Sequence, residues 1–310
     1  MHDQKYEYDD LGIRNEHPAI EFGFNTMKQV LSFGAGVQST ALLLMSCKGI
    51  LPKLDYAVFA DTGWEPTKVY KHLEWCKIEA AKYGIPVVVV KGTKKGLRSD
   101  VVDNVTRVDG KRFAALPLFL LNKDGSKGMG MRQCTSNYKI YPVHKFLRRE
   151  VLGLKPRQRA PKEVVIEQWM GISFDEATRA KESTNKWMKN VFPFLSWGCD
   201  YLDGKNWRRY QIINWLEENY PQIEVPRSAC IGCPFHSNKE WRSIKENPEE
   251  WADAVAFDEA IRVDKRAKGV VSLQFLHRSG KPLSEVDLRS DEEKGQGSLW
   301  DNECEGMCGM

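Results

Sequence analysis

The sequence predicts an α/β protein built on a doubly wound parallel sheet, with a helical, cysteine-bearing C-terminal part. Three observations carry that prediction. Short apolar or β-branched runs alternate with amphipathic segments over residues 29–90, in the order strand, helix, strand, helix, strand. Each connection is long enough for a helical crossover between parallel strands. Polar motifs fall at the carboxyl ends of three strands, where open parallel sheets bind ligands.

The first strand is expected over 29–33, followed by the loop Gly34-Ala35-Gly36 and a strongly apolar helix over 39–48. Strand, tight turn and helix start form an anion-binding device. Gly34 and Gly36 allow close approach of backbone N–H groups, and the helix dipole attracts negative charge. Ser32, Ser39 and Thr40 add hydroxyls, and Ser39 is placed to cap the helix. Gln38, not Lys, stands immediately before Ser39, so the loop does not fit the GxxxxGK[ST] frame of a Walker P-loop. It nearly fits GxGxxG, with Ser39 in the last glycine's place, so a dinucleotide also suits it.

A second strand over 55–60 runs into Asp61-Thr62-Gly63, and Pro66 opens a helix ended by Gly84. Its apolar stripe is Val69, Leu73, Cys76, Ala80 and Tyr83. Asp61 suits a ribose hydroxyl, Mg²⁺, or simple capping of its turn. A buried strand over 85–90 follows, and another over 164–170 ends in Gly171-Ile172-Ser173-Phe174-Asp175-Glu176. Asp175 and Glu176 fit either catalysis or a helix N-terminus. Beyond residue 200 the chain turns helical and aromatic, with helices expected over 206–220 and 239–262. The organisation expected is a polar extension over 1–25, a nucleotide-binding domain over 26–200, a helical part over 201–285, and a flexible tail over 286–310.

The chain has 310 residues, 42% hydrophobic and 28% charged, as in ordinary globular proteins. No basic and apolar leader opens it and no run of about 18 apolar residues occurs. A cytoplasmic location without membrane contact is therefore expected. A net charge of +4 permits nucleic-acid binding. Basic runs at 91–98, 111–112 and 145–162 read as solvated surface or as a phosphate-backbone track.

Eight cysteines without a secretion signal argue against a disulfide framework. Cys47 and Cys76 lie on apolar helical faces and belong to the core. Cys134, the Cys230/Cys233 pair and the Cys304/Cys308 pair lie among Gly, Pro and polar residues, as ligands or nucleophiles do. A CxxC with a distant third thiol suits a [4Fe–4S] cluster, a zinc ion or a redox dithiol. Cys304, Cys308 and Cys199 are candidates for a fourth ligand, and His236 for a zinc site.

These motifs, in this order, resemble those of the PP-loop, or adenine-nucleotide α-hydrolase, superfamily and its phosphoadenylylsulfate (PAPS) reductase branch. SFGAGVQST resembles that family's SGGxDS pyrophosphate loop, with Ala35 at a usual glycine and Gln38 at a usual aspartate. ADTGWEPTKVY, GISFDEATR, the Cys134/Lys139/Pro142 segment and the CxxC in SACIGCPFHS resemble its further motifs. The resemblance covers residues 27–285 and implies a HUP-like fold. It also implies cleavage of ATP, with Mg²⁺, between the α and β phosphates. On it, Ser32, Gly34, Gly36, Gln38, Ser39, Thr40, Asp61, Thr62 and Gly63 bind the nucleotide, Lys139 and Arg179 neutralise phosphates, and Asp175 and Cys304 are catalytic. Cys134, Cys230, Cys233 and Cys308 would hold the metal or cluster.

Departures point within the branch. Cluster-bearing adenylylsulfate reductases have adjacent cysteines where Gln133 precedes Cys134. Cluster-free PAPS reductases end in a single-cysteine ECG tail, whereas this chain ends ECEGMCGM and also has the CxxC. The mixture resembles sulfur-inserting relatives acting in DNA phosphorothioation or tRNA thiolation. The expected function is thus an ATP-dependent sulfurtransferase acting on DNA or tRNA, supplied by a cysteine desulfurase. The alternatives are a thioredoxin-dependent PAPS or adenylylsulfate reductase and a non-catalytic nucleotide-binding adaptor with structural zinc.

Overall fold

The computed structural model describes residues 27–106, 115–263, 272–289 and 293. Along the chain run β1 (Lys28–Phe33), α1 (Val37–Cys47), β2 (Tyr56–Asp61), α2 (Thr67–Ala81), β3 (Val87–Lys91) and α3 (Leu97–Thr106). Next come β4 (Phe119–Leu121), β5 (Lys127–Met129), α4 (Tyr141–Phe146), β6 (Ile166–Met170) and β7 (Met188–Val191). The last elements are α5 (Arg209–Asn219), α6 (Asn238–Lys245), α7 (Pro248–Ala260) and β8 (Leu273–Phe275). The described residues form two compact units. One comprises 27–60, 67–90 and 142–228, and the other 61–66, 91–106, 115–141, 229–263, 272–289 and 293. Each unit therefore draws on segments from either side of residue 200.

The first unit carries a five-stranded parallel sheet in the order β3-β2-β1-β6-β7. In register, Leu31 of β1 lies opposite Ala57 and Trp169, and Ser32 opposite Val58 and Met170. Alternation sends Leu31 and Phe33 into a core with α1, α2 and α5, while Val30 enters a second core with Val143, Phe146 and Leu147. Both faces are thus covered by helices, which explains strands as uniformly apolar as β3. α1 buries every residue except Gln38, because the sheet and two helices enclose it. Fully burying each of Leu42, Leu43 and Leu44 contributes about 1.5–3 kcal/mol.

The expected stripe of α2 is buried at Val69, Leu73, Cys76 and Ala80, but Tyr83 lies past the helix and is 41% exposed. Cys47 and Cys76 are core residues, as the sequence indicates. The same helix buries His72, whose Nε2 is 3.0 Å from the Thr40 hydroxyl and 3.4 Å from the Cys76 thiol.

The second unit has a small antiparallel sheet, β5-β4-β8. One long helix over 239–262 does not form. It breaks into α6 and α7 because Pro248 has no N–H to continue the ladder, and the Asn247 side chain accepts from the N–H groups of Glu249 and Glu250. The capping box of Ser237 and Glu240 opens α6.

Burial pulls the His72 imidazole from 6.5 down to about 4. Between these values the native state binds fewer protons than the unfolded chain. The stability this site contributes is intact above pH 6.5 and is lost as pH falls through about 4, to a limit of about 3 kcal/mol. Urea denaturation at stepped pH should show that slope in the wild type and a shallower one in His72→Gln. Equal slopes would contradict the assignment.

Candidate functional site

The chain reverses its order of strand addition at β1. It winds outward through β2 to β3, then returns to place β6 and β7 on the other side of β1. Loops after β1 and β6 therefore diverge at the carboxyl edge of the sheet, the place where such sheets form a ligand crevice.

The loop after β1 is fixed by its own hydrogen bonds. The Gly34 N–H donates to Ser39 Oγ at 3.2 Å, and the Ser39 hydroxyl donates to the Gly36 carbonyl at 3.2 Å. Gly36, not Ser39, is the helix N-cap, and no side chain caps it. Ser39 lies inside the first turn because α1 starts two residues earlier than its apolar pattern suggests. The first N–H groups of α1 have no intrahelical acceptor, and the first turn holds no acidic residue. Ala35 takes the left-handed conformation, φ 56°, at a cost of about 1–2 kcal/mol. That strained position is the one where the resembled motif usually has glycine.

Two close approaches shape the loop. A Cβ on Gly34 would lie 3.3 Å from Ser228 Oγ, and one on Gly36 would lie 3.2 Å from Ser228 Cβ. A Cβ on Gly171, just past β6, would fall 2.9 Å from the Ser39 nitrogen and 3.1 Å from Gln38. Any side chain at 171 would displace the first turn and cover the Ser39 amide.

Polar groups surround this turn. Gln38 Nε2 donates to Glu176 at 3.3 Å, and Gln38 Oε1 accepts from the Arg209 guanidinium at 3.2 Å. Arg179 pairs with Glu176 at 2.7 Å. Burial raises the Glu176 carboxyl above the ordinary range, opposed by Arg179 and Arg209. Asp175 and Glu176 do lie in the first turn of a short helix that follows Ser173. That stretch is a kinked 3₁₀ turn, and Asp175 accepts from the Arg209 N–H at 2.6 Å at the start of α5, and from Arg208 at 3.3 Å. Arg208 and Arg209 were not singled out in the sequence. Their only signal is a paired basic dipeptide before an amphipathic helix.

The second unit holds the other predicted residues. Asp61 accepts from the Gly63 N–H at 2.7 Å and pairs with Lys91 at 3.3 Å, so it performs the turn-capping role. The Thr62 hydroxyl donates to Glu65 at 2.8 Å and lies 3.2 Å from Cys230 Sγ. The Cys230 thiol donates to the same Glu65 oxygen at 3.4 Å. The Ile231 N–H donates to the Trp64 carbonyl at 2.9 Å, and a Cβ on Gly232 would lie 1.9 Å from the Trp64 ring. The DTGWE segment thus docks the CxxC turn, a pairing of distant motifs that chain order does not reveal. His236 Nε2 donates to the carbonyls of Cys230 and Ile231, which commits that nitrogen to the turn.

Cys134 packs on the hydrophobic cluster that includes Cys230, and Cys233 is buried. Among the described residues no group of three or more His, Cys, Asp or Glu is arranged to hold a metal ion. Lys139 lies half-buried on a π-helical turn, Ser136–Ile140, anchored by the Tyr138 hydroxyl donating to Asp100 at 2.6 Å. Cys199 is half-buried in the first unit. Cys304 and Cys308 lie outside the described residues, as do the 1–25 extension and the basic pair at 111–112. In the other basic runs, Lys95 pairs with Asp103 and Arg98 with Asp253, while Arg148 and Arg149 donate to the carbonyls of Gln158 and Leu154.

No protein-family model matches the chain, and no curated protein or solved structure is found to be similar to it. No helix among the described residues is long and apolar enough to cross a membrane.

The Gly232 contact gives a direct packing test. Gly232→Ala should lower the urea-derived unfolding free energy by about 1–3 kcal/mol. Trp64→Leu/Gly232→Ala should recover part of that loss relative to Trp64→Leu alone. An unchanged midpoint in the single variant would contradict the docking of this turn on Trp64.

Proposed function

We propose that the chain is an ATP-dependent sulfurtransferase that splits ATP to AMP and pyrophosphate to activate a nucleic-acid acceptor. The observation that carries the reading is the start of α1 at the strand-order reversal, where no side chain caps the helix and Gly34, Gly36 and Gly171 permit close backbone approach. Such a start offers N–H donors and a positive dipole end to the departing pyrophosphate. Ser39 orders the loop, and Arg179 and Arg209 supply cationic charge beside it. Gln38 is uncharged where the resembled motif has aspartate. It can bridge Glu176 and Arg209 without adding repulsion toward phosphate.

The substrate is taken to be ATP with Mg²⁺. An oxygen of the acceptor, a base carbonyl or a backbone phosphate, attacks the α-phosphorus. The bond from that phosphorus to the bridging oxygen breaks, and pyrophosphate leaves with that electron pair. The terminal sulfur of a persulfide made by a cysteine desulfurase then attacks the activated atom, and AMP leaves with the electron pair of its bond to that atom. A second thiol attacks the inner sulfur, so that the acceptor keeps the terminal sulfur and the two thiols end as a disulfide. Cys134, Cys230 and Cys233 are assigned no cluster in this scheme, and no step runs through a metal centre of the protein.

Incubating the protein with ATP, Mg²⁺ and either single-stranded DNA or tRNA should yield AMP and pyrophosphate in equal amounts. Gly36→Val and Gly171→Ala should each lower that yield at least about tenfold, the loss expected when one such donor array is disturbed. Wild-type yield in both variants would remove the loop from the chemistry. Sulfite release from PAPS and reduced thioredoxin, without ATP, would favour the reductase. ATP binding with no turnover of either substrate would favour the adaptor.

A further inference from the structure

An exposed aromatic and cationic ledge adjoins the loop in the first unit. Trp197 is 58% exposed, and its ring meets Phe174 edge-on, with centroids 6.2 Å apart at 67°. The Arg208 guanidinium lies 5.3 Å from the Phe174 ring centroid and is half exposed. Through Asp175 and Arg209 this ledge connects to Gln38 in the first turn of α1.

The turn that presents Trp197 is braced by hydrogen bonds. Leu195 N–H donates to Phe192 O and Gly198 N–H to Leu195 O, both at 2.9 Å, while Ser196 N–H donates to the Asn206 side chain at 2.9 Å. A Cβ on Gly198 would lie 2.6 Å from the Phe192 carbonyl, so this close turn tolerates no side chain there. Such bracing holds a large apolar ring in water, where its exposure brings no gain in folding.

We propose that this ledge binds single-stranded nucleic acid, one unpaired base stacking on Trp197 and its phosphate facing Arg208. Every base offers a π-face to an aromatic ring, and an arginine beside that ring suits the linked phosphate. The local charge agrees, since Arg179, Arg208 and Arg209 outnumber Asp175 and Glu176. The inference rests on the proposed function for its choice of acceptor, and it narrows that acceptor to an unpaired region. A base held there lies along the contact chain that leads to the pyrophosphate loop.

Fluorescence anisotropy with a labelled oligothymidylate of about 12 nucleotides tests binding without requiring catalysis. The full chain should bind the single strand more tightly than a duplex of equal length, and binding should weaken as salt is raised. Trp197→Ala should weaken binding about tenfold and Trp197→Phe much less. Circular dichroism should be unchanged, because the ring is exposed. Gly36→Val should bind the oligonucleotide as wild type does while losing ATP. Equal affinity in Trp197→Ala, or preference for duplex, would overturn the ledge. So would a shift in oligomeric state on Trp197→Ala without loss of oligonucleotide binding, which would mark the ring as a contact between copies. A Trp197 effect without AMP formation would leave the ledge standing and refute sulfur transfer. AMP formation with no Trp197 effect would do the reverse.

Discussion

The approach of Gly171 to the first turn of α1 governs the candidate site. β1 and β6 are adjacent parallel strands, and their following loops must part at the sheet edge. Because residue 171 has no side chain, the β6 exit passes directly against Gln38 and Ser39. The same exit then delivers Asp175, Glu176 and Arg179 around that turn. Burial of ten of the eleven α1 residues fixes the helix behind it, so a shift at Gly171 has no slack to absorb it.

The sequence revealed those parts of the fold in which one physical pattern dominates. β1 through β3 are legible because apolar strands alternate with helical periodicity, and α2 shows its buried stripe directly. The strands β4, β5 and β8 have three residues each, too few to display a period, and although β4 and β5 form a local hairpin, β8 joins β4 from far along the chain. β7 is similarly short, and half its residues face away from the core. The division of residues 239–262 into two helices is written in Asn247-Pro248, a capping side chain followed by a residue with no N–H.

The candidate site was legible to a similar extent. The glycine loop stood out because glycines between a strand and an apolar helix have few other uses. The particular tasks did not stand out, since a hydroxyl or carboxylate chooses its partner in three dimensions. Ser39 organises the loop instead of capping the helix, and Asp175 caps α5 from a distance of more than thirty residues. In the second unit, Thr62 and Glu65 hold the Cys230 thiol, and Trp64 abuts Gly232. Two motifs that look like separate catalytic signatures therefore form one packed unit. A CxxC bound in this way is a structural turn at least as much as a reactive pair.

The central claim is that a nucleotide's phosphates lie on the start of α1. Amide hydrogen exchange with and without a non-hydrolysable α,β-methylene analogue of ATP tests it most directly. Slowed exchange should be confined in the first unit to residues 34–40 and 171–179. Protection that leaves 34–40 unchanged and appears elsewhere in the chain would contradict the account.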